Sequence, residues 1–232
     1  MNKIKIIKSM LQKSSGLCNN NIFFKTAAGH YAEHDYFINI AVPDLRKIAK
    51  QFSELSLTEI QKLIDSKVNE ERLLALLILV MQYQKAAIEA KKELYQFYLK
   101  NLKQVNNWNL VDSSAHLIIG AHLFNQDKAI LLTLAKSEIL WYRRIAIIAT
   151  WYFIKNNDLK WTFKISTMLL NDQHDLIHKA VGWMLREAGK KDQNQLIKFL
   201  NQHASQMPRT MLRYSIEKFP DDQRKSYLKR SE

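Results

Sequence analysis

Residues 140–156 read LWYRRIAIIATWYFIKN, and this stretch carries the clearest fold signal in the chain. Its apolar residues recur at a helical period rather than in the strict alternation of a half-buried strand. Segments of the same kind follow one another along the chain and are separated by short polar breaks. We predict helices over residues 2–14, 43–52, 56–66, 69–84, 86–101, 107–124, 127–137, 140–156, 159–171, 174–190, 192–204 and 208–219.

The composition also favours helices. The 232 residues include only 5 Gly and 3 Pro, and no proline lies between Pro43 and Pro208. Hairpin-rich β folds need many turn residues, so this scarcity argues against them. Pro43 and Pro208 stand where a proline in the first turn of a helix would, and Asn and Asp cluster at the breaks, where they can cap helices.

The longer segments start near residues 69, 107, 140 and 174, at spacings of 38, 33 and 34 residues. Each is followed by a second, shorter helix. This alternation predicts an all-α fold, an α-solenoid of helix-pair repeats that spans residues 1–232 as a single domain. A solenoid offers a concave face that is usually lined by the same helix of each pair, so the helices starting at 107, 140 and 174 are expected to carry the functional residues.

The formal net charge of +13 favours a polyanionic partner, although a merely soluble basic protein would have the same balance. Cys18 is the only cysteine, which excludes an intramolecular disulfide and fits a reducing compartment. The N-terminus lacks the unbroken apolar stretch of a signal peptide, and no apolar run is long enough for a membrane span. We therefore expect a cytoplasmic protein that does not bind membranes.

The first candidate pair opens the segment at 107. Trp108 and Asp112 are four residues apart and so lie on one helix face. Asp112 is near the helix N-terminus, where the helix dipole favours a carboxylate. The alternative is structural, with a packed tryptophan beside a solvated acid at the start of a helix.

The next segment begins with Trp141, and Arg143 and Arg144 follow it. An arginine here can hold a phosphate with two hydrogen bonds. Alternatively, Trp141 is part of the core and the two arginines form a solvated edge.

The third segment places Lys179 and Arg186 one turn before and one turn after Trp183. An aromatic residue flanked by cations suits a surface that binds nucleic acid, whereas the alternative is a core tryptophan with snorkelling basic neighbours. Farther on, Arg209 and Arg213 share a face and form either a clamp on a nucleic-acid backbone or a plain charged surface.

The sequence gives little support for a metal site, a nucleotide-binding loop or a nucleophilic active site. His30 and His34, and also His174 and His178, have i,i+4 spacing, but no HExxH motif and no nearby cysteine accompany them. Phosphate-binding glycine loops and a GxSxG nucleophile motif are lacking, and Cys18 has no local nucleophile signature. We expect no metal and no cofactor.

Several ordered stretches resemble one family, the AlkD-like DNA alkylation repair proteins, which are HEAT-like repeat DNA glycosylases. The similarity covers most of the chain. The matching stretches are Asp35 to Phe37 with Val42 to Arg46, Trp108 to Asp112, Trp141 to Ile145, Lys179 to Glu187 and Arg209 to Phe219.

The resemblance implies roles for particular residues. Asp112 would be the catalytic carboxylate, Trp108 and Trp183 would pack against the deoxyribose and backbone of the lesion, and Arg144 would hold a phosphate. The implied activity is excision of positively charged N3- and N7-alkylated purines from double-stranded DNA without flipping of the base. We expect a monomer that acts in the cytoplasm, associated with the nucleoid if the source is bacterial.

The chain departs from the family at Asn39 and Ala41, where related sequences often have Gly and a polar or basic residue. An N-terminal DNA contact is therefore in doubt. Some relatives of this fold bind DNA structures without glycosylase activity, so a non-catalytic module for branched or distorted DNA is the alternative function. A protein-binding helical scaffold is the third hypothesis.

Overall fold

The computed structural model describes residues 3–16 and 23–229. Within these ranges the regular secondary structure is helical, apart from one isolated β-bridge between Tyr36 and Val68. The predicted all-α fold is confirmed. The chain divides into two compact units, Met1–Ser114 and Ala115–Glu232. That the whole chain acts as one repeat domain stays a prediction, as does the concave DNA-binding face.

In its described residues, the first unit consists of an N-terminal helix, an irregular segment over residues 23–41 and two helix pairs, followed by the helix that carries Trp108. Its elements are α1 (Lys3–Lys13), α2 (Val42–Gln51), α3 (Leu57–Ile64), α4 (Asn69–Lys85), α5 (Ile88–Lys100), a 3-10 turn (Leu102–Gln104) and α6 (Trp108–Ala115).

The second unit continues the alternation of longer and shorter helices. It begins with a π-helical turn (His116–Gly120) and contains α7 (Ala121–Leu123), α8 (Ala129–Ala135), α9 (Leu140–Lys155), α10 (Lys160–Met168), α11 (Asp175–Lys191), α12 (Gln193–His203), α13 (Arg209–Ser215) and α14 (Asp221–Lys229).

The predicted helices agree with the observed ones to within a few residues, except at two places. Helix α14 was not predicted, because its sequence, DDQRKSYLK, is polar almost throughout and buries only Tyr227. The predicted helix over 107–124 is interrupted by the π-helical turn, which a helical period in the sequence cannot reveal. Pro43 lies in the first turn of α2, as predicted, and Pro208 immediately precedes α13.

Helix α4 forms the centre of the first unit. Its residues from Asn69 to Val80 are all buried, although it begins with the polar sequence Asn-Glu-Glu-Arg. Helices α2 and α3 pack against it. Because polar groups are costly to bury unless they are hydrogen-bonded or paired, this first turn of α4 must be met by partners from other segments. Those partners position the candidate site, as described below.

Two glycines determine how closely helices pack in the second unit. A Cβ atom on Gly120 would overlap the carbonyl oxygen of Ala149 and would lie 2.8 Å from Cβ of Tyr152. A Cβ atom on Gly182 would lie 2.5 Å from the carbonyl oxygen of Met211 and from Cβ of Tyr214. In both cases the neighbours are 29 and 32 residues farther along the chain. The helix crossing at Gly120 therefore recurs in the same register at Gly182.

In the described part of the chain, no helix combines the length and the apolar character needed to cross a bilayer. Cys18 lies outside the described residues.

The glycine contacts predict a stability difference between two substitutions in α11. We expect Gly182→Ala to lower the free energy of unfolding by about 1–3 kcal/mol, because its Cβ would meet backbone atoms of α13. Gly189→Ala should cost less, because the nearest atom there is the flexible end of the Leu196 side chain. Urea unfolding of both variants checks this, and equal losses would contradict it.

Candidate functional site

A buried polar network organises the start of α4 in the first unit. The Asp35 side chain is completely buried and forms an ion pair with Arg72, which is itself 4% exposed. Its carboxylate also accepts hydrogen bonds from Nδ2 of Asn69 (3.0 Å) and Nδ2 of Asn107 (2.5 Å). The cost of burying this charge is therefore offset by a cation and two amides.

Glu70 plays a similar part for the irregular segment before α2. It is almost fully buried, and its carboxylate oxygens accept hydrogen bonds from the backbone N–H groups of Ile38 (3.1 Å) and Asn39 (2.9 Å). Asn39 has a φ of 60°, a left-handed conformation that favours glycine and that asparagine tolerates better than most residues. Asn39 thus adopts a backbone conformation typical of glycine.

Asn107 connects the buried network to α6. Its side-chain oxygen accepts a hydrogen bond from the backbone N–H of Trp108 (2.7 Å), and its carbonyl accepts the first helical bond from Val111 (3.1 Å). Asn107 therefore stands at the N-cap position of the helix that carries Trp108 and Asp112, and its side chain accepts the first N–H of that helix.

Trp108 and Asp112 line one cleft of about 260 Å³ in the first unit. The Trp108 ring stacks on Phe24 (centroids 5.0 Å apart, planes at 16°), and Phe24 stacks on Phe37 (4.3 Å, 29°). The remaining lining residues are Phe23, Ile40, Val42, Asn69, Glu70, Leu73, Asn109 and Ser113. The predicted pair is thus brought together on a surface that combines aromatic rings with carboxylates.

The charge of Asp112 also acts on a neighbouring tyrosine. Burial raises the pKa of Tyr98 well above its usual range, a hydrogen bond with Ser114 (2.9 Å) opposes the rise, and the negative charge of Asp112 adds to it. Tyr98 is a fully buried residue of α5, and Ser114 lies in the last turn of α6. The charge of Asp112 on α6 therefore interacts electrostatically with a buried side chain of α5.

In the second unit, the half-buried Trp183 and Trp151 form a row of rings with the buried His116. Its ring meets Trp151 edge-on (4.9 Å, 61°), and Trp151 lies 4.4 Å from the imidazole of His116. The ammonium of Lys155 sits 4.1 Å above the Trp151 ring. Trp183 is therefore half-buried, and its neighbour Trp151 makes a cation–π contact with Lys155.

The two arginines of α9 both make internal contacts in this unit. Arg143 forms a two-point ion pair with Asp172 (Nε to Oδ2 2.6 Å, Nη2 to Oδ1 3.4 Å) and donates to the carbonyls of Ser137 and Glu138. Arg144 is only 5% exposed and donates to the carbonyl of Leu176. Both side chains hold the start of α11 against α9.

The other cations predicted to bind DNA differ in their partners and in their exposure to solvent. Lys179 pairs with Asp175 on the same helix (2.7 Å), and Arg186 pairs with Glu187 and Glu217. Arg209 is exposed and donates to the carbonyl of Leu228 (2.9 Å). Arg213 is exposed.

Two of the histidines with i,i+4 spacing make local contacts around the start of α11. His174 caps α11 by accepting from the N–H of Leu176 (3.1 Å), and Nε2 of His178 contacts the carbonyl of Asp172. Over residues 3–16 and 23–229, no group of three potential ligands could hold a metal ion.

Comparison with known proteins identifies the family. A family model described as DNA alkylation repair enzyme matches residues 18–219. The chain belongs to the DNA alkylation repair enzyme family. Membership supports a role as an enzyme in DNA repair. Among curated proteins, none matches the chain significantly.

Two solved structures share the fold of this family member. One is described as a predicted DNA alkylation repair enzyme from Enterococcus faecalis (TM-score 0.66, 16% identity, 82% of this chain and 91% of that chain). The other is AlkD2 from Streptococcus mutans (TM-score 0.60, 17% identity, 94% of this chain and 99% of that chain). At these identities the likeness establishes the fold, a helical repeat of the AlkD type.

Sequence reasoning missed several residues that build this family member's cleft. Phe24 and Phe37 lie in the irregular segment before α2, where no period marks them. Asn69 and Asn107 are each the first residue of a predicted helix, but nothing in the sequence shows that both bind Asp35. The signal available was the polar opening of α4 in an otherwise apolar segment.

The raised pKa of Tyr98 predicts a loss of stability at alkaline pH. The folded protein keeps the phenol proton of Tyr98 after the unfolded chain has lost it. The free energy of unfolding is therefore unaffected by this group below the ordinary pKa of 10.0 and decreases as the pH rises above it. Tyr98→Phe should lose less stability than wild type between about pH 9 and pH 11, by up to about 1.4 kcal/mol per pH unit. Urea unfolding measures this, with Tyr214→Phe as the control, and parallel curves would contradict it.

Proposed function

We propose that this protein is a monofunctional DNA glycosylase that hydrolyses the N-glycosidic bond of positively charged N3- and N7-alkylated purines in double-stranded DNA, without flipping the base. The single observation that carries the proposal is the shared cleft of Trp108 and Asp112, within a chain of the DNA alkylation repair family.

Asp112 supplies the negative charge in the proposed reaction. An alkylated purine already carries a positive charge, so it can leave without protonation by an acid. As the glycosidic bond breaks, positive charge develops on the deoxyribose, and a fixed carboxylate stabilises it and orients the attacking water. Neither step calls for a metal or a cofactor, and we expect full activity in the presence of EDTA.

The tryptophans supply aromatic surface. Trp108 is held by its stack on Phe24, so its ring is pre-positioned rather than ordered on binding. Its π face can stabilise a cationic base or sugar by about 0.5–2 kcal/mol. We assign Trp183 a similar packing role in the second unit, where Trp151 supports its ring.

DNA binding is assigned to the cations of the second unit, with different weights. Arg213 and Arg209 are exposed and lie one turn apart on α13, which suits contact with a phosphate backbone. Lys179 and Arg186 would exchange a carboxylate for a phosphate on binding. For Arg143 and Arg144, the internal contacts favour a role in holding α9 and α11 together, and contact of either with DNA would require it to exchange Asp172 or the Leu176 carbonyl for a phosphate.

The activity assay measures release of 7-methylguanine from methylated duplex DNA under single-turnover conditions. Wild type should release the base, and Asp112→Asn should lower the rate by about 10²–10³, because the charge that stabilises the developing cation is lost. Glu89→Gln, which removes an exposed carboxylate of the same unit, should keep the wild-type rate.

The outcomes separate the hypotheses. No release by wild type, together with tight, salt-dependent DNA binding that survives Asp112→Asn, would instead indicate the non-catalytic module for distorted DNA. No affinity for DNA at physiological salt would indicate a protein-binding scaffold. Either result overturns the glycosylase proposal.

A second test compares two arginines. Arg213→Gln should weaken DNA binding and reduce the slope of log K against log salt by about 1, with unchanged stability, because one phosphate contact is lost. Arg143→Gln should instead lower the free energy of unfolding by about 3 kcal/mol, because Asp172 is left buried without its partner. Salt titrations and urea unfolding measure the two effects, and a reversed pattern would contradict the assignment.

A further inference from the structure

We infer that Asp35 is a positioning residue for Trp108 and Asp112, and that it acts through the side chains of Asn107 and Asn109. This inference rests on the proposed function for its kinetic consequence, but its structural claim can be tested without catalysis. Asp35 does not line the cleft, so it would act only by holding the start of α6.

The first step is the rigidity of Asp35. Its partner Arg72 is buried and also donates to the carbonyl of Ser66 (2.9 Å), so the guanidinium is fixed from two sides. Asp35 lies at one end of a segment that pairs with the chain before α4, where the N–H of Tyr36 donates to Lys67 and the N–H of Asn69 donates to Tyr36. The carboxylate therefore has a fixed place relative to α4.

The second step is the bridge from this carboxylate to α6. Asn107 is fully buried, donates from Nδ2 to Asp35 and accepts the N–H of Trp108 at Oδ1. An amide is the side chain that can do both at once, because a carboxylate lacks the donor and a serine is too short to reach Asp35. The residue before Trp108 is thereby tied to α4.

A second amide repeats the connection on the other side of Trp108. Nδ2 of Asn109 donates to Oδ1 of Asn69 (2.6 Å), and Asn69 in turn donates to Asp35. Trp108 is thus flanked in sequence by two side chains that lead to the same carboxylate. An ordinary N-cap would fix the N-terminus of α6 with one hydrogen bond and would not need Asp35.

The test uses isosteric substitutions at two buried carboxylates of the first unit. Asp35→Asn removes the negative charge that binds Arg72, Asn69 and Asn107. Glu71→Gln is the matched control, because Glu71 is also buried in α4 but forms its ion pair with Lys8 of α1 (3.0 Å) rather than with the start of α6. Both variants lose an ion pair, but only one loses the bridge to α6.

The readout that does not need catalysis is ¹⁹F NMR of protein labelled with 5-fluorotryptophan, in which Trp108→Phe assigns the Trp108 resonance. We expect Asp35→Asn to shift and broaden the Trp108 resonance and to leave that of Trp183 unchanged. Glu71→Gln should leave both resonances as in wild type. In the glycosylase assay, Asp35→Asn should lower kcat about tenfold with little change in KM.

Each outcome decides the inference. It is overturned if the Trp108 resonance and kcat respond to Asp35→Asn no more than to Glu71→Gln. If Asp35→Asn fails to fold, Asn107→Ser takes its place, because a serine before α6 can still accept an N–H of the first helical turn but does not reach Asp35. A wild-type kcat and a sharp Trp108 resonance in Asn107→Ser would show that capping alone suffices. If wild type has no glycosylase activity, the proposed function fails, while the resonances still decide the positioning role.

Discussion

A carboxylate buried without contact with water is the constraint from which the first unit is built. The free energy needed to remove Asp35 from water is larger than any single hydrogen bond returns, so the fold must bring several partners to it. Arg72 and Asn69 come from α4 and Asn107 from the start of α6, and each is buried in turn. Because they converge on one point, an irregular segment and two helices acquire a common geometry, and the aromatic cleft lies beside it.

The sequence revealed those features that depend on neighbours a few residues away. Helical period, helix pairing and the shared face of Trp108 and Asp112 are all local, and the helices were predicted with small errors at their ends. The stack of Phe24 and Phe37 on Trp108 joins residues more than 70 positions apart, from a segment without any period. Such contacts depend on the tertiary fold, and no local sequence pattern predicts them.

The basic residues illustrate the same limit in a different way. A surplus of positive charge and the recurrence of arginine near tryptophan suggested phosphate contacts at α9. In the structure, Arg143 and Arg144 are engaged by Asp172 and by the carbonyl of Leu176, which lie 29 and 32 residues farther along the chain. An arginine that binds a phosphate and one that secures the next helix have the same local sequence, and only the position of their acceptors distinguishes them.

The matching contacts of Gly120 and Gly182 have a consequence for how such a chain can change in length. The two glycines are 62 residues apart, and each meets a carbonyl and a tyrosine at identical offsets. A duplication or deletion of that whole interval would recreate the same helix crossing at the junction. A shorter insertion between a glycine and its tyrosine would break the crossing. The helix packing of the second unit is therefore compatible with a change in chain length by whole repeats. The matching contacts of Gly120 and Gly182 show the spacing that such a change must keep.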